Sequence, residues 1–301
     1  MGAIGNMKKK VLFIVNPKSG KGAIRGKLLD IIDTFVKADF DLTVYVSQFV
    51  GDAREKVKEM EGKYELIVCS GGDGTLDEVF SGLMECEQRC AVGYIPCGST
   101  NDFAHSLKIP TGMLRAAQHI VEGQEFPCDV GAFNDDYFVY IAAFGLFTEV
   151  SYETSQDVKN VLGHMAYILE GIKKLTDIKS YPMRVESEEL TVEGNFLFGM
   201  VTNSTSVGGF RNITGKHVHL DDGVFEVTLI KTPQNILELN EIIQAVIAGK
   251  SDNNKYFYQF RSSHVTFISE DPVAWTQDGE FGGYHEKVEI RNERQALRLL
   301  V

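Results

Sequence analysis

The stretch Cys69-Ser70-Gly71-Gly72-Asp73-Gly74-Thr75-Leu76-Asp77-Glu78 constrains the fold of this chain more than any other. The apolar run Glu65 to Val68 precedes it and reads as a buried strand, while Val79 to Met84 follows with helical spacing. Three glycines therefore sit at a strand-to-helix turn. Lacking Cβ atoms, they let backbone N–H groups close on an anion, and the following helix points its positive N-terminal end at the same place. The expectation is a phosphate site. The bland alternative is a tight turn with no ligand, and Asp73 argues against it. A carboxylate inside a phosphate loop is repulsive unless a cation bridges it to the ligand. Thr75 adds a hydroxyl suited to capping or to a phosphate oxygen.

Upstream, Val11 to Val15 is an apolar strand that runs into Asn16-Pro17-Lys18-Ser19-Gly20-Lys21-Gly22, a loop rich in turn formers. Apolar positions at Ile24, Leu28, Ile31, Ile32 and Phe35 predict a helix over 24–38. Leu42 to Val46 is a second strand and 51–60 a charged helix, so strand and helix alternate up to the glycine turn. That alternation implies a parallel sheet with right-handed crossovers, whose ligands gather beyond the carboxyl ends of the strands. Both loops, 16–22 and 70–75, fall at that edge. A fourth strand, Ala91 to Pro96, delivers Gly98-Ser99-Thr100-Asn101-Asp102 to the same edge, before a helix over 111–122.

From about residue 128 short strands dominate: 183–192, 195–204, 224–231, 256–260, 263–269 and 285–291. This pattern predicts an antiparallel sandwich or open barrel. Two helical segments interrupt it, a long one over 152–179 with a wide apolar face and one at 234–249. Leu220-Asp221-Asp222-Gly223 and Gln277-Asp278-Gly279-Glu280 each read as hairpin turns on pattern alone.

A chain of 301 residues, 44% hydrophobic and 24% charged, is long enough for two domains with their own cores. Its net charge of −12 argues against a general nucleic-acid binder, which needs a basic face. Lys8-Lys9-Lys10 is the one dense basic run and reads as a solvated lead-in to the first strand, with Met1 to Asn6 a tail before it. The five cysteines form no CxxC pair and point to reduced thiols in the cytosol. No apolar run is long enough to predict a transmembrane segment.

Asn16-Pro17-Lys18-Ser19-Gly20, Gly71 to Thr75, Gly98 to Ala104, Leu220 to Gly223 and Asp278-Gly279-Glu280 occur in the order seen in the diacylglycerol kinase catalytic-domain family. The chain resembles that family, which includes bacterial soluble lipid kinases, sphingosine kinases and ceramide kinases, over nearly its whole length. The resemblance implies an α/β nucleotide-binding domain with a Rossmann-like parallel sheet, residues 7–128 and 292–301. It also implies an all-β sandwich domain with inserted helices, residues 129–291, for the lipid, with ATP in the cleft between them. It implies ATP on Asn16, Lys18, Ser19, Gly71, Gly72, Asp73, Gly74, Thr75, Glu78, Thr100 and Asn101. Asp278 becomes the general base with Glu280 beside it on one face, two residues on, and Asp73 is a rival for that role. Asp73 and Asp102 would hold Mg²⁺.

A second, structural Mg²⁺ is implied on Asp222 with the carbonyls of Val224 and His219, although an imidazole at 219 departs from the family's pattern and only its carbonyl suits this ion. The activity implied is ATP-dependent phosphorylation of a lipid hydroxyl, with diacylglycerol the favoured acceptor, by a cytoplasmic protein that meets its substrate transiently at a membrane surface. Whether copies pair as a homodimer is left open. An NAD kinase shares Gly-Gly-Asp-Gly-Thr but lacks the motifs at 98–104 and 220–223. A nucleotide or lipid binder without turnover is the third reading, and it has no need of Asp278.

Overall fold

In the computed structural model, residues 8–98, 101–146, 178–204, 206–207, 210–211, 218–248 and 254–301 are described. The chain splits into two compact units, one of residues up to Cys128 together with Ala296–Val301, the other of Asp129–Gln295. Thr100 and the predicted helix over 152–179 fall on residues outside those described, apart from 178–179.

The first unit alternates strand and helix. Its strands are β1 (Lys9–Val15), β2 (Phe40–Val46), β3 (Leu66–Gly71) and β4 (Ala91–Pro96), and its longer helices are α1 (Leu28–Lys37), α2 (Asp52–Glu59) and α3 (Asp73–Met84). A short α4 (Asp102–Ser106) and α5 (Met113–Glu122) follow. β1 to β4 pair parallel in the order β2-β1-β3-β4, and Leu299 near the C-terminus adds a parallel pairing to Val92. β3 and β4 are buried along their whole length, which is why they read as unbroken apolar runs.

The helix predicted over 24–38 starts later, at Leu28. Ser19–Gly26 is instead a 3₁₀ segment broken by left-handed residues Gly20, Lys21 and Gly22 (φ 54°, 58° and 76°). The buried Ile24 that lent the pattern its helical spacing anchors this turn.

The second unit is mainly antiparallel. Its strands are β5 (Glu125–Phe133, entering from the first unit), β6 (Asp136–Phe138), β7 (Ile141–Gly145), β8 (Tyr181–Ser187) and β9 (Thr191–Thr202), then a two-residue pair, β10 (Ser206–Val207) and β11 (Phe210–Arg211). After these come β12 (Phe225–Lys231), α6 (Ile236–Ala248), β13 (Phe257–Ser262), β14 (His264–Gln277) and β15 (Glu280–Leu300), whose last residues belong to the first unit. The long strands β9 and β14 each pair with β8 along one half and with β7 along the other, so the sheet folds over itself. Trp275 fills the centre, with ring centroids 4.9 Å from Phe144, 5.0 Å from Phe267 and 5.4 Å from Phe133. Alternation along β14 puts Phe267, Val273 and Trp275 inside, as a half-buried strand requires.

Candidate active site

In the first unit, three loops meet beyond the carboxyl ends of β1, β3 and β4. The backbone N–H of Asn16 donates to Ser70 O (2.9 Å), and its side-chain amide donates to Thr75 Oγ1 (3.0 Å). The Gly72 N–H reaches Ser19 Oγ (3.3 Å), and Cys97 N–H donates to Gly71 O (2.7 Å). Close approach explains the glycines that side-chain patterning cannot. A Cβ at Gly98 would lie 2.7 Å from Gly72 Cα, and one at Gly20 would lie 2.1 Å from Cys97 O.

Asn101 adopts a left-handed conformation (φ 52°) that turns its side chain back, so that Oδ1 accepts the Gly98 N–H (2.8 Å) and Nδ2 donates to Gly98 O (3.0 Å). Tyr94, fully buried on β4, lies against the same turn with its hydroxyl 3.3 Å from Gly71 O and 3.4 Å from Asn101 Oδ1. Burial, and then the charge of Asp73, hold its pKa well above the ordinary phenol value, so it remains a neutral donor.

Asp73 opens α3, where a carboxylate also complements the helix N-terminus. Its Oδ2 accepts the N–H of Asp102 (3.2 Å), and Asp102 is itself 2% exposed. Two carboxyl-bearing residues thus adjoin at the glycine turn. Oxygen donors on adjoining acids suit Mg²⁺, a hard cation that keeps several of its waters.

Other expected contacts of this unit have different occupations. Glu78 does not face the turn's ligand side: its two oxygens accept the N–H groups of Gly51 (2.9 Å) and Ala53 (3.0 Å), capping α2. Thr75 is buried and held by Asn16, so its hydroxyl braces the turn rather than ending the helix. Lys18 is exposed.

In the second unit, Asp278 and Gly279 are the central residues of the β14–β15 turn, both with positive φ (49° and 87°), and Gln277 pairs with Glu280. That is the mirror-image turn that an Asp-Gly pair favours. The Asp278 carboxylate is 5% exposed and accepts three N–H groups, from Val139 (2.6 Å), Tyr140 (2.9 Å) and Ile141 (2.9 Å). Glu280 is exposed. The expectation of both carboxylates on one face is corrected here, because the two-residue alternation of a strand does not pass through two left-handed residues.

Of the implied ligands of a second cation, Asp222 is already engaged. Asp222 Oδ1 takes the Val224 N–H (3.2 Å), Oδ2 pairs with Arg261, and His219 is exposed. Arg261 also donates to Glu226 Oε1 (3.2 Å). A guanidinium already balances Asp222, so the donor set does not fit a further cation, and no step is assigned to one. Burial pushes Glu226 up to about 7 against the opposing pull of Arg261. Among the described residues no three His, Cys, Asp or Glu side chains gather as a metal cage.

Asp129 is the organising acid that patterning missed. It is fully buried and accepts the N–H groups of Gly223 (2.7 Å) and Gln295 (2.7 Å) and the side-chain amide of Asn292 (3.2 Å). It thereby fixes the Leu220–Gly223 turn. A lone acid between Cys128 and Val130 in an apolar strand was its only signal.

The model of the diacylglycerol kinase catalytic domain matches residues 10–133, and that of the YegS C-terminal NAD kinase beta sandwich-like domain matches 143–301. The chain is 32% identical to a diacylglycerol kinase of Staphylococcus saprophyticus over 92% of its own length and 90% of that protein's. It is 31% identical to a diacylglycerol kinase of Bacillus subtilis, over 91% of each. A solved structure of a Bacillus anthracis protein described as a diacylglycerol kinase superposes with a TM-score of 0.76 at 23% identity, covering 98% of this chain and 97% of that one. At that identity it speaks to the fold alone.

Proposed function

The chain belongs to the diacylglycerol kinase family and is an ATP-dependent lipid kinase, and from that premise we propose how its residues divide the work. The parallel unit serves as a Rossmann-like nucleotide-binding domain, and the antiparallel unit carries the acceptor lipid, diacylglycerol. The observation that carries this reading is the glycine turn itself, braced by Asn16, Ser19 and Asn101, with Asp73 and Asp102 adjoining at the start of α3. Backbone N–H groups at Asp73 and Gly74, in the first turn of α3, would face the β- and γ-phosphates of ATP, and the N-terminal end of α3 adds its partial positive charge.

Asp73 and Asp102 would hold Mg²⁺. When bound, the ion neutralises charge on the phosphates as the γ-phosphoryl group leaves. Asp73 is thereby committed to metal and phosphate positioning, and Asp278 receives the proton of the acceptor hydroxyl. In a loose phosphoryl-transfer transition state the acceptor proton leaves late, so a rigidly oriented carboxylate serves better than a mobile one. Three backbone donors supply that orientation for Asp278.

The test is transfer of label from γ-labelled ATP to a panel of diacylglycerol, monoacylglycerol, sphingosine, ceramide, undecaprenol and NAD. Diacylglycerol is the expected product-forming acceptor. Asp278→Asn, which keeps one acceptor oxygen and sets its NH₂ against the remaining N–H, should lower kcat by about 10²–10⁴ with ATP affinity unchanged. Phosphorylation of NAD alone would overturn the lipid acceptor, and loss of ATP affinity in Asp278→Asn with the fold intact would overturn the role of Asp278.

A further inference from the structure

Tyr94 lies inside β4 with no exposed surface, two residues before the strand ends. A phenylalanine would fill the same space more cheaply, because a buried hydroxyl loses its water and recovers only what its hydrogen bonds return. Here the hydroxyl lies 3.3 Å from Gly71 O and 3.4 Å from Asn101 Oδ1. Both separations are longer than the usual O–H···O bond of about 2.7 Å, as expected when a single proton is shared between two acceptors. Neither acceptor depends on that proton. Gly71 O already takes the Cys97 N–H (2.7 Å), and Asn101 Oδ1 already takes the Gly98 N–H (2.8 Å). The hydroxyl therefore adds little to stability, and its distinctive contribution is a link between two segments far apart in sequence.

Those segments are the two turns assigned to the phosphates of ATP. Gly71 leads into the glycine turn and Asp73 at the start of α3, while Asn101 precedes Asp102 at the start of α4. Their backbones meet at Gly72 and Gly98, where neither residue has a side chain to hold the spacing. We propose that the Tyr94 hydroxyl is a positioning group for ATP, clipping the glycine turn to Asn101 and so setting the separation of the two turns. This rests on the nucleotide-site reading above. Tyr94 is too deeply buried to touch the ligand itself, and it acts through Gly71 and Asn101. Burial and the nearby charge of Asp73 keep the phenol protonated, so the clip stays closed at neutral and mildly alkaline pH.

The test is calorimetry of ATP with Mg²⁺ and no lipid on the full chain, for the wild type, Tyr94→Phe, Asn101→Gly and the double variant, each checked by thermal unfolding. Asn101→Gly removes one end of the clip and keeps the left-handed turn, which glycine adopts freely. Tyr94→Phe orphans no donor, so its unfolding midpoint should stay within about 2 °C of wild type. It should weaken ATP about fivefold, the factor that one neutral hydrogen bond supplies. In the Asn101→Gly background the same change should shift ATP affinity less than about twofold, because a clip with one end does not hold. In turnover, KM for ATP should rise with the dissociation constant while kcat and KM for diacylglycerol stay unchanged. Amide hydrogen exchange at Cys97 and Gly98 without ATP should also be faster in Tyr94→Phe.

Unchanged ATP affinity and unchanged exchange in Tyr94→Phe would overturn the proposal. So would a loss of about fivefold in both backgrounds, which assigns the hydroxyl to Gly71 alone. A midpoint lowered by more than about 5 °C with ATP affinity intact would make Tyr94 a core residue only. Calorimetry needs no turnover. A wild type that binds no ATP would sink the nucleotide reading and this one with it, whereas one that binds ATP but phosphorylates no acceptor would sink only the kinase reading.

Discussion

Asp129→Ala should destabilise the second unit, and the size of the loss follows from the hydrogen bonds it orphans. Two backbone N–H groups, of Gly223 and Gln295, and the Asn292 amide lose an acceptor that is itself fully buried, at hydrogen bonds that are partly buried. Each buried donor left unsatisfied costs about 1–3 kcal/mol. Against that stands relief of the burial that pushes the Asp129 carboxyl above its ordinary range. The net loss is then about 3 kcal/mol, the balance of those orphaned donors and the relieved desolvation. Trp275 is the only tryptophan and is 1% exposed in the same unit, so its fluorescence reports this unit's unfolding.

With a urea slope of about 2 kcal/mol/M, the midpoint should fall by about 1.5 M. Asp129→Asn retains one acceptor oxygen and should fall by roughly half as much. The pH dependence has a definite sign. A carboxyl whose folded pKa is raised contributes stability that is full below its unfolded pKa and lost as pH rises through the folded one. The gap between wild type and Asp129→Ala should therefore be widest in acid and narrow as pH climbs just above the usual carboxylate range. A midpoint for Asp129→Ala within about 0.3 M of wild type would refute the reasoning.

In Gly98→Ala the new Cβ would press on Gly72 Cα and on Asn101 Oδ1 at 2.7 and 2.8 Å, so ATP affinity measured by calorimetry should drop about tenfold. The Trp275 transition should not move. Glu78→Gln keeps one acceptor at the start of α2 but removes its charge. It should lower the stability of the first unit by about 1 kcal/mol, read by circular dichroism, with KM for ATP unchanged. A raised KM at unchanged stability would return Glu78 to the nucleotide. Burial pushes the Cys90 thiol up to about 11. At pH 8 only about one thiol in a thousand is then thiolate, and mass spectrometry should find iodoacetamide labelling of Cys90 far slower than in urea. Labelling at the unfolded rate would count against the buried environment.

Much of the first unit was legible because its signals are local. Val11 to Val15, Leu66 to Val68 and Ala91 to Pro96 are apolar runs bounded by turn formers, and they form β1, β3 and β4. The Asp-Gly pair at 278–279 forms the two-residue turn its composition favours. Where the same local signal is ambiguous, the reading slipped. Ile24 lies in phase with the α1 stripe, and only the left-handed run at Gly20 to Gly22 detaches it from the helix. That run is set by the closeness of Cys97, far away in sequence.

The acids show why the rest was hidden. Glu78 receives N–H groups 27 and 25 residues away, Asp278 receives three at separations of 137 to 139, and Asp129 receives Gly223 and Gln295 at 94 and 166. In each case the partner is a peptide group, and every non-proline residue carries the same one. A side-chain partner leaves its identity in the sequence, as Asn16 and Thr75 do. A backbone partner leaves nothing but the acid. Glu78, Asp129 and Asp278 therefore look alike on paper, as carboxylates near turns, although one caps a helix, one fixes a loop and one is proposed to meet the substrate. What separates them is the frame. Asp129 takes donors from Gly223, Asn292 and Gln295 and so ties a turn to the end of the chain, whereas the three donors to Asp278 come from one short segment, Val139 to Ile141, and hold its carboxylate at a hairpin tip beside the exposed residues Gly279 to Phe281. The family resemblance, not the Asp-Gly pattern alone, is the ground on which Asp278 rather than Asp129 is proposed to receive the proton, and its three donors give that carboxylate a fixed orientation.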